Sequence, residues 1–167
     1  FNTIFNNKSV DLPQFTGITS YDKNNDEKWI GIAPFARHKE KIYPLELQEK
    51  VIAHFIQNKR TKVFLFGGGK EEAEIAASWK AKYPSLISTV GKLKMEEELA
   101  LMSHLDIMYS MDSANMHLAS LVGTKVISLW GATHPYVGFM GWGQAMDNAL
   151  QIDLYCRPCS IAGMKSC

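Results

Sequence analysis

Short apolar runs alternate with longer amphipathic stretches from Trp29 onward. The run WIGIAP, residues 29–34, ends at a proline and predicts a buried strand. Pro44 suits a first helical turn. Leu47, Val51 and Phe55, with Ile52 and Ile56, recur at helical spacing, so 45–58 reads as an amphipathic helix. KVFLFGGG, 62–69, is a second buried strand running into glycines, and KEEAEIAASWKAKY after it is helical by composition. LISTV, 86–90, is a third strand. MEEELALMSHL is a helix with Met95, Leu99 and Met102 on one face. DIMYS, 106–110, is a fourth strand. Residues 112–122 form a further helix, with Asp112 as its N-cap and Gly123 just beyond its end. KVISLWG, 125–131, is a fifth strand, and LQIDL, 150–154, is the candidate sixth.

This alternation implies an α/β fold: a Rossmann-like parallel sheet with helices on both faces and right-handed crossovers. In such a sheet, ligands bind at the carboxyl ends of the strands. The polar and glycine-rich segments fall there: 37–41, 67–71, 91–93, 112–117 and 131–135. Three parts are expected. Residues 1–28 are a polar, Asn-rich arm or interdomain linker. Residues 29–155 are the Rossmann-like domain. Residues 156–167 are a cysteine-containing tail. The first residue is not Met and the chain stops abruptly after a third cysteine, which suggests a piece of something longer.

Charge and composition narrow the function. A net charge of +1 offers no electrostatic reason for nucleic-acid binding. The apolar stretches fall short of the roughly 18 residues of a membrane span, so at most peripheral membrane contact is expected. The opening residues do not have the pattern of a signal peptide. All three cysteines sit in CRPCSIAGMKSC, and a cysteine-free core fits a reducing, cytoplasmic compartment. One C-x-x-C with a third cysteine, Cys156, Cys159 and Cys167, is a weak metal signal, and free thiols explain it equally well.

The densest chemistry lies in MDSANMHLASLVGTKVISLWGATHP, 111–135. Asp112 is either only a cap or also a ligand for a sugar hydroxyl. Ser113, Ala114 and His117 share the front of the helix, where free backbone N–H groups favour an anion such as phosphate. The loop FARHKEK carries Arg37, His38, Lys39 and Lys41. It is either a solvated charge run or a balance for a diphosphate, and Lys41 is favoured for that role. GGGKE, 67–71, is neither a dinucleotide fingerprint nor a P-loop. Its glycines still admit a ligand close to the backbone. Glu71 either accepts two ribose hydroxyls or merely sits well at a helix start.

In their combination and order these motifs resemble the signature of the ADP-heptose:lipopolysaccharide heptosyltransferases, glycosyltransferase family 9. The likeness runs from about Trp29 to Pro135 and includes KEKIYP and FGGGKEEAEIA. It implies the C-terminal, donor-binding half of a GT-B glycosyltransferase that inverts configuration without a metal or other cofactor. By that resemblance, Phe35, Ala36, Arg37 and Lys41 hold the diphosphate with the Ser113 and Ala114 amides. Glu71 holds ribose, and Gly91, Lys92 and Leu93 line the adenine. Asp112 and His117 contact sugar or phosphate, and Lys41 and His117 stabilise the leaving group. The general base is expected in the absent N-terminal domain, so this chain binds donor without turnover. The acceptor, a lipopolysaccharide core reached through that domain, places the parent at the inner face of the inner membrane. The sequence departs from the family pattern at Ala114 for Gly, Tyr43 for Trp, His134 for an acidic residue, and Phe35-Ala36 for small hydroxyl residues. A nucleotide-sugar epimerase or hydrolase on the same scaffold and a non-catalytic nucleotide-sugar-binding module are the rival expectations.

Overall fold

The computed structural model describes residues 21, 23, 24 and 26–165. Most of the expected arm, and Cys167, lie outside them. Among these residues, six strands and four α-helices follow in the order β1 (Lys28–Ala33), α1 (Leu45–Ile56), β2 (Thr61–Leu65), α2 (Lys70–Lys82), β3 (Ile87–Ser88), α3 (Met95–Ser103), β4 (Ile107–Met111), α4 (Ala114–Leu121), β5 (Val126–Trp130) and β6 (Ala149–Gln151), with only 3-10 turns between the last two strands. Every strand pair is parallel, and the spatial order is β3-β2-β1-β4-β5-β6. The chain therefore winds outward from β1 in one direction, crosses over, and winds outward in the other. Its topological switch point falls between β1 and β4, where Ile30 pairs with Ile107 and Ala33 with Ser110.

Side-chain alternation builds two cores, one on each face. Trp29, Phe64, Met108, Val126 and Trp130 meet Leu101, Met102, Met116 and Ala119 of α3 and α4. Ile30, Ile32, Val63, Leu65, Tyr109 and Met111 meet Ile52, Ala76 and Trp79 of α1 and α2. Gly31 shares the α3 face with Trp29 and Ala33, and a Cβ there would meet Leu105 Cδ1 at 2.5 Å. Leu105, just beyond α3, and Met108 of β4 fill the space instead. At the start of β1, Asp106 accepts from the Trp29 N–H and pairs with Lys23 and Lys28, at 2.8, 2.8 and 3.1 Å. Burial pushes its carboxyl up, but the two ammonium groups and the N–H outweigh that and hold it at about 2.

Several elements differ from the sequence expectation, each for a physical reason. The first helix stops at Ile56 rather than 58, where Asn58 accepts from Thr61 N–H and turns the chain into β2. The third strand has two residues rather than five. Thr89 gives both its N–H and its hydroxyl to the Leu65 carbonyl, and Gly91, at φ 67, then reverses the chain. In α3 the buried residues are Ala100, Leu101 and Met102, while Met95 is 53% exposed. Its first turn overhangs a cavity instead of the core. The sixth strand begins one residue early and ends at Gln151. The helix after β4 begins at Ala114, so Asp112 is not its N-cap; Ser113 holds that position without a side-chain cap bond. Its far end behaves as expected. Gly123 N–H reaches Ser120 O and Thr124 N–H reaches Ala119 O, a Schellman closure with Gly123 at φ 78.

Candidate functional site: a cavity at the switch point

The loops that leave β1, β2 and β4 enclose a cavity of about 800 Å³ at the carboxyl edge of the sheet. From the loop after β1 come Phe35, Ala36, Arg37, His38 and Lys41. Gly67, Gly68 and Glu72 come from the turn after β2. Asp112, Ser113, Ala114 and His117 come from the turn after β4 and from α4. These segments are distant in sequence and meet because the strand order reverses between β1 and β4.

The post-β1 loop is anchored by Phe35, which is buried and stacks on Trp79 with ring centroids 6.0 Å apart. Gly67 must be glycine for this to hold. A Cβ there would lie 2.8 Å from both the Phe35 ring and the Glu72 carboxylate. Glu72 folds back to accept the Gly68 N–H at 2.7 Å. Farther along, Lys41 ends a single 3-10 turn, Lys39–Lys41. Its Nζ pairs with Asp112 Oδ2 at 2.8 Å, in surroundings where the side chains are 14% and 4% exposed. Thr133, fully buried after β5, donates its hydroxyl to the same oxygen at 2.8 Å. This is why Asp112 does not cap α4. Both contacts use Oδ2, so Oδ1 is left to accept from a ligand.

The same corner binds the tail to the domain. Ala132 N–H donates to Glu40 O at 3.0 Å, and Cys159 N–H donates to Ala132 O at 3.1 Å. Arg157 donates to the Thr133 carbonyl at 2.7 Å. Gly163 packs against Lys41, where a Cβ would meet Cε at 2.9 Å. Residues 156–165 thus seat the lysine. Among the described residues, no group of three His, Cys, Asp or Glu side chains could hold a metal.

The cavity's basic side chains are unevenly engaged. Lys41 is neutralised by Asp112, whereas exposed Arg37 and half-buried His117 have no ionic or hydrogen-bond partner among the described residues. Ala114 and Asn115, at the start of α4, line the cavity beside Ser113, whose hydroxyl lies 3.3 Å from that of Ser110. A helix N-terminus without a side-chain cap, next to an unpaired guanidinium, suits an anion.

Some residues singled out from sequence are elsewhere. Glu71 is exposed and does not line the cavity; its neighbour Glu72 does. One residue is about 100° of helix rotation, which the sequence pattern alone does not resolve. Gly91, Lys92 and Leu93 are also outside the lining. Gly91 makes the turn, Lys92 reaches back to Ser88 O at 2.9 Å, and Leu93 packs on the core. Met95 and Glu98 of α3 occupy that end of the cavity. In the sequence Thr133 is the middle residue of GATHP, the loop 131–135. Its link to Asp112 is a tertiary contact that no local pattern encodes.

A doubly wound α/β domain of this topology places its ligand site at the switch point, where this cavity lies. The chain belongs to glycosyltransferase family 9 (heptosyltransferase), whose family model matches residues 7–164. Solved structures agree on the fold. E. coli ADP-heptose LPS heptosyltransferase II is 18% identical, with a TM-score of 0.64, over 81% of this chain and 41% of that one. The family 9 glycosyltransferase of Veillonella parvula is 22% identical, with a TM-score of 0.65, over 77% and 37%. E. coli heptosyltransferase WaaC with ADP is 17% identical, with a TM-score of 0.63, over 75% and 38%. The chain therefore spans about two fifths of the length of these relatives. The fold is Rossmann-like α/β, as in one half of a GT-B glycosyltransferase. No curated protein matches the chain. Among the described residues, no helix is long and apolar enough to cross a membrane.

Proposed function

We propose that the switch-point cavity binds a nucleoside-diphosphate sugar, ADP-heptose or a close relative, and that this chain is the donor half of an inverting glycosyltransferase. The parent passes the sugar to a lipopolysaccharide-core acceptor at the inner face of the inner membrane. One observation carries the reading: the uncapped start of α4 and unpartnered Arg37 open on the same cavity. The relative WaaC, solved with ADP, supports the choice of nucleotide.

In this scheme the diphosphate lies along the Ser113–Ala114 amides, with Arg37 and His117 beside it. Oδ1 of Asp112 accepts from a sugar hydroxyl. Glu72, rather than Glu71, reaches the ribose. A base in the other domain deprotonates the acceptor oxygen, which attacks the anomeric carbon as the bond to the diphosphate breaks. The departing oxygen's negative charge develops against donors already in place. Such preorganised stabilisation is worth about 3 kcal/mol per donor. It requires no metal at the phosphates.

Calorimetry of the chain with ADP, with and without a chelator, tests this reading. ADP is expected to bind once per chain under both conditions. Arg37→Ala and His117→Ala are each expected to weaken binding by about tenfold, the worth of one charge-assisted hydrogen bond. Cys159→Ala is expected to leave it unchanged. A damaging Cys159→Ala beside silent Arg37→Ala and His117→Ala would move the site to the tail.

A further inference from the structure

Glu98 has a setting that the diphosphate chemistry does not use. It stands on the first turn and a half of α3 and lines the cavity with Met95, one helical turn before it, and with Leu118 of α4. Its carboxylate has no hydrogen-bond or ionic partner among the described residues. It is half-buried, and burial pushes its carboxyl up from the ordinary value. An unpaired, partly desolvated acid is costly to keep unless something that enters the cavity satisfies it.

Geometry indicates what enters. Ala114 marks the anion end of the cavity, and Leu118 lies four residues along the same helix, about 6 Å farther on. With the phosphates at Ala114, the lining formed by Leu118, Met95 and Glu98 is left for the base. Two flexible apolar side chains suit the faces of a base ring. A single ionised carboxylate suits only a donor on its edge, because it accepts and does not donate.

We propose that Glu98 reads the base of the donor nucleotide, accepting a hydrogen bond from the exocyclic amino group of an amino-bearing base and disfavouring uracil, whose oxygen at that position repels it. This rests on the donor-cavity reading and specifies its substrate: adenine satisfies Glu98, and uracil leaves it unpaired beside a carbonyl. A carboxamide in its place offers both an acceptor and a donor and serves either base.

The test is calorimetry of the full chain with ADP, CDP and UDP, in the wild type, Glu98→Gln and Glu98→Leu, with circular dichroism confirming that each variant is folded. The wild type is expected to bind ADP and CDP at least about tenfold more tightly than UDP, the scale of one hydrogen bond to a charged group. In Glu98→Gln the ADP-to-UDP ratio is expected to fall below about threefold, mainly because UDP gains. Glu98→Leu is expected to lower ADP affinity toward that of UDP. A wild type that prefers UDP, or binds the three alike, overturns the assignment, as does a Glu98→Gln variant that keeps the wild-type ratio. If CDP behaves like UDP, ring size and not the amino group does the selecting, which also overturns it. A folded wild type that binds none of the three nucleotides instead removes the donor-cavity reading itself, and the assignment with it.

Discussion

Asp112→Ala is expected to destabilise the chain by about 3 kcal/mol in chemical denaturation, more than any substitution on the exposed surface. The carboxylate is 4% exposed and balances Lys41, itself only 14% exposed in its side chain. Removing it strands a cation in a poorly solvated corner and leaves the Thr133 hydroxyl without its acceptor. The loss comes chiefly from the uncompensated partner, so replacing both members restores part of it. Lys41→Met combined with Asp112→Leu is expected to be more stable than the sum of the single effects by at least about 1.5 kcal/mol. Additive single and double variants would show that the pair is not coupled. Binding separates the roles further. Asp112→Asn keeps an acceptor for Thr133 but not the charge that balances Lys41, so it is expected to lose less stability than Asp112→Ala, and to weaken a sugar nucleotide more than ADP if the sugar reaches Oδ1 as proposed.

Gly131→Ala is expected to cost about 3 kcal/mol, although its backbone conformation is open to any residue. A Cβ at Gly131 would stand 2.4 Å from the Glu40 carbonyl oxygen. That oxygen belongs to backbone and cannot swing aside. The Lys39–Lys41 turn must move, breaking the Ala132 N–H to Glu40 O bond and pulling Lys41 from Asp112. Gly123→Ala is the useful comparison. Gly123 has open space around it but a positive φ of 78°, so alanine there costs only about 1 kcal/mol of backbone strain. Denaturant midpoints and ADP affinities should separate the two variants. Gly131→Ala is expected to lower both, and Gly123→Ala only the first. Equal losses of stability would show that the turn yields easily and does not fix Lys41.

Much of the fold is legible in the sequence because buried parallel strands read as nearly continuous apolar runs. WIGIA, KVFL and VISLW announce themselves, and Gly123 announces the end of α4. The length of β3 does not, because it is an edge strand. LISTV has the composition of five paired residues, but Thr89 ends the ladder with its own side chain. The site divides along the same line. The sequence marks the loops that converge, since polar and glycine-rich residues follow each strand. It does not mark which acid in KEE turns inward, or that Asp112 prefers Lys41 and Thr133 to a helix cap. Those choices are set by residues far along the chain. A local rule gives way there to a buried ion pair, and such departures concentrate where a fold does its work.

The central claim is that the start of α4, at the β1–β4 switch point, holds the diphosphate of a nucleotide. Backbone amide shifts of the chain, recorded by NMR during titration with ADP, test it most directly. The account predicts the largest changes at Ala114 and Asn115, with Arg37, Gly68 and His117 following at the same ligand concentration. Saturable changes confined to residues 150–157, with the α4 amides unmoved, would contradict it.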